Sequence, residues 1–374
     1  MLSKEKSILI TGSNGFIAKN LIFALQEAGF KKLLLVDRNT SNEEFEAKVL
    51  QSDYIYHLAG VNRPINDGQY YEGNAGLTKK IIDILSENKK KTTIIFSSSI
   101  QAEQDNPYGK SKTAAEELLK QYENLTGGRI YIYRIPNVFG KWCKENYNSF
   151  IATFCYNSVN GIESRIDNPQ ATVELIYIDD LVAEFIDCVK TDNKTSGNLK
   201  LSPVYKLSVG EVADLIASFR DKRTKVTIDE VGTGFKRALY ATWLTYLRPE
   251  DFSYKIEAHK DERGVFGEVL KTGKNGQFSF FTAGIGVTRG GHYHHTKNEK
   301  FLVLKGTARF RFQHIHTGQR YEKVVDSKEY EIVDTVPGWS HDITNIGNEE
   351  LIVMLWANEV FDRNFPDTFT SNIE

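Results

Sequence analysis

At 374 residues the chain is too long for one ordinary hydrophobic core and calls for two domains. Lys and Arg number 47 against 49 Asp and Glu, and a net charge of −2 gives no electrostatic case for nucleic acid or an anionic membrane as partner. The three cysteines, Cys143, Cys155 and Cys188, lack metal-type or redox-type spacing and read as reduced thiols of a cytoplasmic protein. The first apolar run starts too close to Met1 for a signal peptide, and no run approaches the roughly 18 apolar residues of a membrane span, so membrane insertion is not expected.

In chain order, Ser7-Ile8-Leu9-Ile10 reads as a buried strand, and Thr11-Gly12-Ser13-Asn14-Gly15-Phe16-Ile17-Ala18 as a glycine-rich turn opening a helix that runs to Gly29. Gly12 permits the tight turn, Gly15 lets backbone approach a pyrophosphate, and the small Ala18 lets the helix lie close to the strand. Such a turn can also be purely structural. The strand Leu33 to Val36 ends at Asp37-Arg38, where a nucleotide ribose is read. Asp37 would accept from a free 2′-hydroxyl and favour NAD, whereas Arg38 would pair a 2′-phosphate and favour NADP. Residues 53–60 give a third strand and turn, residues 72–91 a helix, and Thr93 to Phe96 a strand that runs into Ser97-Ser98-Ser99. The order is repeated βα and implies a parallel sheet, with its chemistry at the strand ends.

Tyr108 and Lys112 are four apart, and if Asn106-Pro107 opens a helix both side chains lie on one face. A free phenol, with a pKa of about 10, gives up its proton poorly near neutrality unless an ammonium lowers that value, and Lys112 is placed to do so. The pair alone is weak, since 18 tyrosines in a lysine-rich chain produce such spacings by chance. Its position after the serine strand strengthens it.

Thr11-Gly-x-x-Gly-Phe-Ile, His57-Leu-Ala-Gly, the Ser97-Ser98-Ser99 strand end, Tyr108-x-x-x-Lys112, Arg134-Ile-Pro-Asn-Val-Phe-Gly140 and Tyr177-Ile-Asp-Asp180 resemble, in the same order, the extended short-chain dehydrogenase/reductase family. The resemblance covers about residues 7–245 and implies a Rossmann-type doubly wound parallel sheet acting on a nucleotide sugar. It implies Ser99 holding the substrate oxygen, Tyr108 as acid and Lys112 on the nicotinamide ribose. Cofactor contacts would come from Gly12, Asn14, Gly15, Phe16, Ile17, Asp37, Arg38, Leu58, Ala59 and Gly60, with Tyr108 and Lys112, and Asn137 would lie near the sugar nucleotide. The 4,6-dehydratases of this family carry an Asp-Glu pair just after the serine strand. Here Ile100-Gln101 follow, which argues against water elimination and leaves reduction or oxidation.

Helical patterning fails between Tyr240 and Lys255, and Arg248-Pro249 breaks the chain, so the domains are read as 1–248 and 249–374. Beyond the break, short alternating runs (Gly276 to Thr282, Phe301 to Leu304, Ala308 to Phe312, Leu351 to Trp356) read as an all-β sandwich or barrel. Within it His292 and His294 fall on one side of a strand, Glu299 on its continuation, and His341 further on. Three imidazoles and a carboxylate suit Zn²⁺ or another divalent ion. These offsets resemble the two-part cupin motif, which implies a jelly-roll domain. Asp261-Glu-Arg-Gly-Val-Phe-Gly-Glu268 resembles the opening of the deoxysugar 3- and 5-epimerases, also cupins, and makes Arg263 and Glu268 candidate substrate contacts; a charged hairpin rim is the alternative. Those epimerases use a His and a Lys near the positions of His292 and Glu299, so the base here stays open. His295 is one candidate by position, and His316 adds a further histidine nearby.

A hydrogen on carbon beside a ketone is acidic because the charge moves to oxygen, and that acidity ends once the ketone is reduced. An epimerase and a reductase therefore make an ordered pair. The whole chain resembles two-domain bacterial capsular-polysaccharide enzymes, through stretches such as Gln104-Asp-Asn-Pro-Tyr-Gly109, Gly140-Lys-Trp-Cys143 and His295-Thr-Lys-Asn-Glu-Lys-Phe301. This implies a homodimer. It also implies a UDP-linked 2-acetamido-2,6-dideoxy-4-ketohexose, epimerised at C3 and then reduced at C4 with NADPH (NADH being the alternative) to the L-talose product, a precursor of N-acetyl-L-fucosamine. The competing expectation is a single-activity 4-ketoreductase whose cupin only dimerises.

Overall fold

The computed structural model describes residues 5–64, 66, 68–191, 194–251, 254, 256–294, 297–315 and 317–373. His295 and His316 lie outside the described residues. Two compact units form, Met1–Ile216 with Ala241–Tyr246, and Ala217–Tyr240 with Leu247–Glu374. No helix among the described residues is long and apolar enough to cross a membrane.

The first unit opens with β1 (Ser7–Thr11), α1 (Phe16–Glu27), β2 (Lys32–Val36), α2 (Asn42–Gln51) and β3 (Tyr54–His57). It continues through α3 (Gly68–Tyr71), α4 (Leu77–Glu87), β4 (Thr93–Ser99), α5 (Pro107–Thr126) and β5 (Ile130–Ile135). With a short strand Gly197–Leu199 at one edge, these strands make a parallel six-stranded sheet in the order β2, β1, β3, β4, β5, edge strand. The order reverses between β1 and β3, so the carboxyl ends of β1, β3 and β4 converge where a doubly wound sheet binds ligands. Ile8, Leu9, Ile10, Ile55, Ile94 and Ile95 are fully buried, as near-continuous apolar strands covered on both faces should be.

One expected helix is not continuous. Between α3 and α4 the chain widens into a π-helical turn, Glu72–Gly76, because Asn74 is drawn out of the regular ladder. Its side chain bonds both backbone groups of Val61 (3.0 and 3.1 Å) and Ser111 Oγ (2.9 Å). Gly73 allows this approach, since a Cβ there would meet Val61 at 2.4 Å.

The second unit is strand-rich. One sheet runs Thr227–Ile228, Gly264–Thr272, Gly276–Ala283, Leu351–Ala357, Glu299–Lys305 and Ile332–Asp334, with Ala258–Asp261 paired to the second of these. A five-stranded sheet runs Arg320–Asp326, Thr307–His314, Trp339–Asn345, Thr288–Tyr293 and Phe369–Thr370. Both sheets contribute to one core of Phe281, Phe301, Val303, Phe310, Phe312, Ile343, Leu351 and Val353. Residues 217–240 group with this unit, where Thr227–Ile228 pair in parallel with Lys271–Thr272.

Candidate functional site

In the first unit the catalytic candidates meet at the end of β4. Asn106 caps α5 by accepting from the Gly109 amide at 2.8 Å, and Pro107 occupies the first turn, so Tyr108 and Lys112 do project from one face. The Lys112 ammonium is buried, donates to the Ser97 carbonyl at 2.9 Å, and lies 5.9 Å from the centre of the Tyr108 ring. Burial draws Lys112 down to about 8, with the Glu116 carboxylate opposing. Tyr108 differs from expectation. Burial raises its phenol, a hydrogen bond with Ser99 only partly offsets this, and Lys112 is aimed at the Ser97 carbonyl rather than at the hydroxyl.

Around this group the glycine-rich turn is fixed by one buried hydroxyl. Thr11 Oγ1 accepts from the amides of Leu58 (3.2 Å) and Ala59 (3.1 Å) and meets His57 Nδ1 at 2.9 Å. His57 Nε2 faces Thr78 Oγ1 at 2.9 Å, and that hydroxyl already donates to the Asn74 carbonyl. The imidazole therefore carries its proton on Nε2, and Thr11 donates to Nδ1. Burial, with Lys112 adding to it, takes His57 down to about 3, so the ring stays neutral. Gly12, at φ +67°, lies so close to the β3 turn that a Cβ would meet Ala59 Cα at 2.9 Å. Gly12→Ala is accordingly expected to cost about 1–3 kcal/mol of stability, read as a lower denaturant midpoint. Gly15 precedes α1 without a side-chain cap, leaving the amides at Phe16 and Ile17 able to face an anion.

At the ribose position the Asp37 carboxylate accepts from Asn14 Nδ2 at 2.7 Å and from the Asn39 amide at 2.8 Å. Arg38 is exposed beside it. Asn137 is also exposed, donating to the Glu174 carbonyl at 3.4 Å. Two residues escaped the motif reading. Asn74 ties the β3 turn to α5, and the signal for it was an asparagine between two glycines in an expected helix. Glu116, buried one turn beyond Lys112, takes both Arg134 Nε (3.0 Å) and Nη2 (2.8 Å) and the Ser98 hydroxyl, and so fastens α5 to the ends of β4 and β5.

In the second unit His292, His294, Glu299 and His341 converge, their nearest ligand atoms all within 4.8 Å of one another. His292 and His294 share a side of their strand by its two-residue period, and a bulge after Gly290 sets His292 opposite His341 on the neighbouring strand. Glu299 comes from the other sheet. His294 Nδ1 lies 2.6 Å from the Asp367 carbonyl, which can only accept, so the proton sits on Nδ1. Neutral Nε2 then presents a lone pair to Glu299 Oε2 at 3.3 Å, and His341 Nε2 is 3.5 Å from the same oxygen. Electron pairs aimed at a carboxylate leave a place for a cation, so the donor set fits one divalent ion, with the Asp367 carbonyl orienting His294. Burial, reinforced by His341 and His294, brings His292 down to about 4.

Arg263 is exposed and closed on Asp261 within its own turn. Glu268 is held by Lys271 at 2.8 Å and by Gln277 at 3.2 Å. A cavity of about 130 Å³ adjoins the cluster, lined in part by Gln277, Lys297, Glu299, Glu359 and Phe361. Lys297, at the cavity wall, went unnoticed in the sequence because its burial depends on residues some sixty positions later.

Residues 259–369 match the polysaccharide biosynthesis C-terminal domain, and residues 8–199 match the NAD dependent epimerase/dehydratase family. The chain is 47% identical over 366 residues, 98% of each chain, to the UDP-2-acetamido-2,6-beta-L-arabino-hexul-4-ose reductase of Pseudomonas aeruginosa. It is similar in structure to the capsular polysaccharide assembling protein CapF from Staphylococcus aureus, at 42% identity and a TM-score of 0.91, over 98% of this chain and 100% of that one. A crystal structure of CapF with the inhibitor 3-isopropenyl-tropolone matches at 37% identity and a TM-score of 0.86, with the same coverage. With a glycine-rich turn, a serine strand end and a Tyr-Lys helix in the matched segment, the chain belongs to the NAD dependent epimerase/dehydratase family.

Proposed function

We propose that the chain is a nucleotide-sugar reductase of capsular polysaccharide synthesis, acting on a UDP-linked 2-acetamido-2,6-dideoxy-4-ketohexose. The observation that carries this reading is the arrangement of Ser99, Tyr108 and Lys112 around the end of β4, beside the turn held by Thr11. A reduced nicotinamide, when bound, would supply a hydride, one hydrogen with its electron pair, to C4. Ser99 holds the ketone oxygen, Tyr108 gives it a proton, and Lys112 keeps a positive charge beside the phenol and the ribose. Asp37 spends both carboxylate oxygens on Asn14 and Asn39 while Arg38 stays exposed, which supports NADPH. NADPH oxidation on addition of the keto sugar, with the product's C4 configuration read by proton NMR, tests the assignment. No oxidation by either NADPH or NADH would overturn it.

The second unit is read as a cupin that epimerises C3 before reduction, giving the L-talose configuration, in a homodimeric enzyme working in the cytoplasm. His292, His294, Glu299 and His341 would hold Zn²⁺ or a similar ion, which supplies a fixed positive charge to this pocket. A tropolone presents two oxygens on adjacent carbons, a chelating pair, and its appearance as an inhibitor in a CapF structure supports this reading. Deuterium uptake at C3 from heavy water, followed without nicotinamide, checks the epimerisation; no uptake would leave a single-activity reductase.

Lys112 also sets a pH dependence. With its folded value near 8, below its ordinary 10.5, the reduction rate constant kcat/KM is expected to fall as pH rises through about 8, where the ammonium is lost. Folding stability moves the other way. The charged form is disfavoured by burial, so that penalty is full below pH 8 and eases between 8 and 10.5. A rate profile flat from pH 7 to 9.5 would contradict this role.

A further inference from the structure

The cavity beside the histidine cluster contains two charged side chains that the cluster does not use. Lys297 is 9% exposed at its side chain, its ammonium 3.7 Å from Glu299 Oε1 and 5.6 Å from the Phe361 ring centre. Among the described residues, no hydrogen bond is donated by its Nζ, although the backbone of the same residue is anchored, its amide donating to Asp367 Oδ2 at 2.8 Å. A buried ammonium of this kind has hydrogens to offer a ligand. Glu359 lines the same cavity from just beyond the strand Leu351–Ala357. Gln277 is already committed, donating to Glu268 and Ser279 and accepting from the Phe361 amide, so it shapes the wall. At about 130 Å³ the space suits the reacting edge of a pyranose rather than a whole nucleotide sugar.

We propose that Lys297 and Glu359 are the substrate-facing pair for proton exchange at C3, Lys297 holding the ketone oxygen and Glu359 receiving the proton. This rests on the epimerisation reading above and deepens it. The C3–H bond breaks and its electron pair becomes the C3–C4 π bond. The carbonyl π pair moves onto oxygen, where the Lys297 ammonium meets the negative charge, and the proton bonds to the Glu359 carboxylate. Water protonates C3 from the opposite face as the oxygen's electron pair re-forms the carbonyl with inverted configuration, and the hydroxide left behind takes the proton from Glu359, restoring its carboxylate. The Phe361 and Phe266 rings line the cavity beside the ammonium and lower the polarity around it, which strengthens its pull on the enolate oxygen.

The test uses the full-length protein with the UDP-linked 4-keto sugar in deuterated water and no nicotinamide, following loss of the C3 proton signal by NMR. Metal content by elemental analysis and a melting curve are recorded in parallel. Lys297→Met is expected to slow exchange by roughly 100-fold, the range for loss of one oxyanion donor, with metal content and melting unchanged. Lys297→Arg is expected to recover part of the rate, and Glu359→Gln to abolish exchange. Wild-type exchange in Lys297→Met or Glu359→Gln overturns the assignment of that residue. Exchange and metal content falling together in Lys297→Met also overturns it, since Lys297 would then only position Glu299. If wild type itself shows no exchange, the epimerisation reading fails first and this proposal with it.

Discussion

Replacing Tyr108 with Phe is expected to lower the rate of NADPH-dependent reduction by about 10²–10⁴-fold, the range for loss of a positioned proton donor. The substitution removes only a hydroxyl. The ring keeps its packing against Tyr70, 5.7 Å between centroids, and α5 keeps its Asn106 cap and its Glu116 anchor to Arg134. Cofactor affinity, measured by fluorescence titration, should therefore change little while turnover collapses. The raised phenol sharpens the expectation: burial keeps Tyr108 protonated, so it stands ready to give a proton to a forming alkoxide. Unchanged turnover in the variant would remove Tyr108 from the chemistry and with it the reductase assignment.

In the second unit His341→Ala should have the largest consequence. His341 is almost fully buried and neighbours the Phe301 and Phe312 rings, so the alanine would leave Glu299 with one histidine partner fewer in an apolar surround. Metal content is expected to fall from near one ion per chain towards zero. Where free ion stands a thousandfold above its dissociation constant, binding contributes about 4 kcal/mol to the folded state, a loss on the order of 10 °C in Tm for a unit of this size. Chelation of the wild-type protein should produce the same drop, and the variant should be insensitive to chelator. Full metal occupancy in His341→Ala would refute the ligand set.

Periodicity made much of this architecture legible. Apolar runs closed by glycine, serine or aspartate marked β1 to β4, and the two-residue period of a strand was enough to put His292 and His294 on one side. The helical spacing of Tyr108 and Lys112 worked in the same way. What stayed hidden depends on contacts distant in sequence. The π turn at Asn74 exists because of Val61 and Ser111, and no local rule foretells it. Lys112 looked like a device for lowering the phenol, yet the carbonyl that receives its proton belongs to Ser97 on the adjoining strand. The ion pair of Arg263 with Asp261, two residues away, is likewise set by the turn between two strands rather than by the motif. Lys297 became noticeable only when the segment around Phe361 folded over it.

The hydroxyl at position 11 restricts how this chain can drift. It receives two amides and spends its own hydrogen on a ring nitrogen, so valine, its isostere, would leave the buried His57 Nδ1 without a donor, at about 1–3 kcal/mol, and take from the half-buried Ala59 amide its acceptor. Serine keeps the bonds but gives up the β-branched shape that suits a strand terminus. Divergent relatives should accordingly alternate between threonine and serine here, and a lineage that abandons both should also have replaced His57.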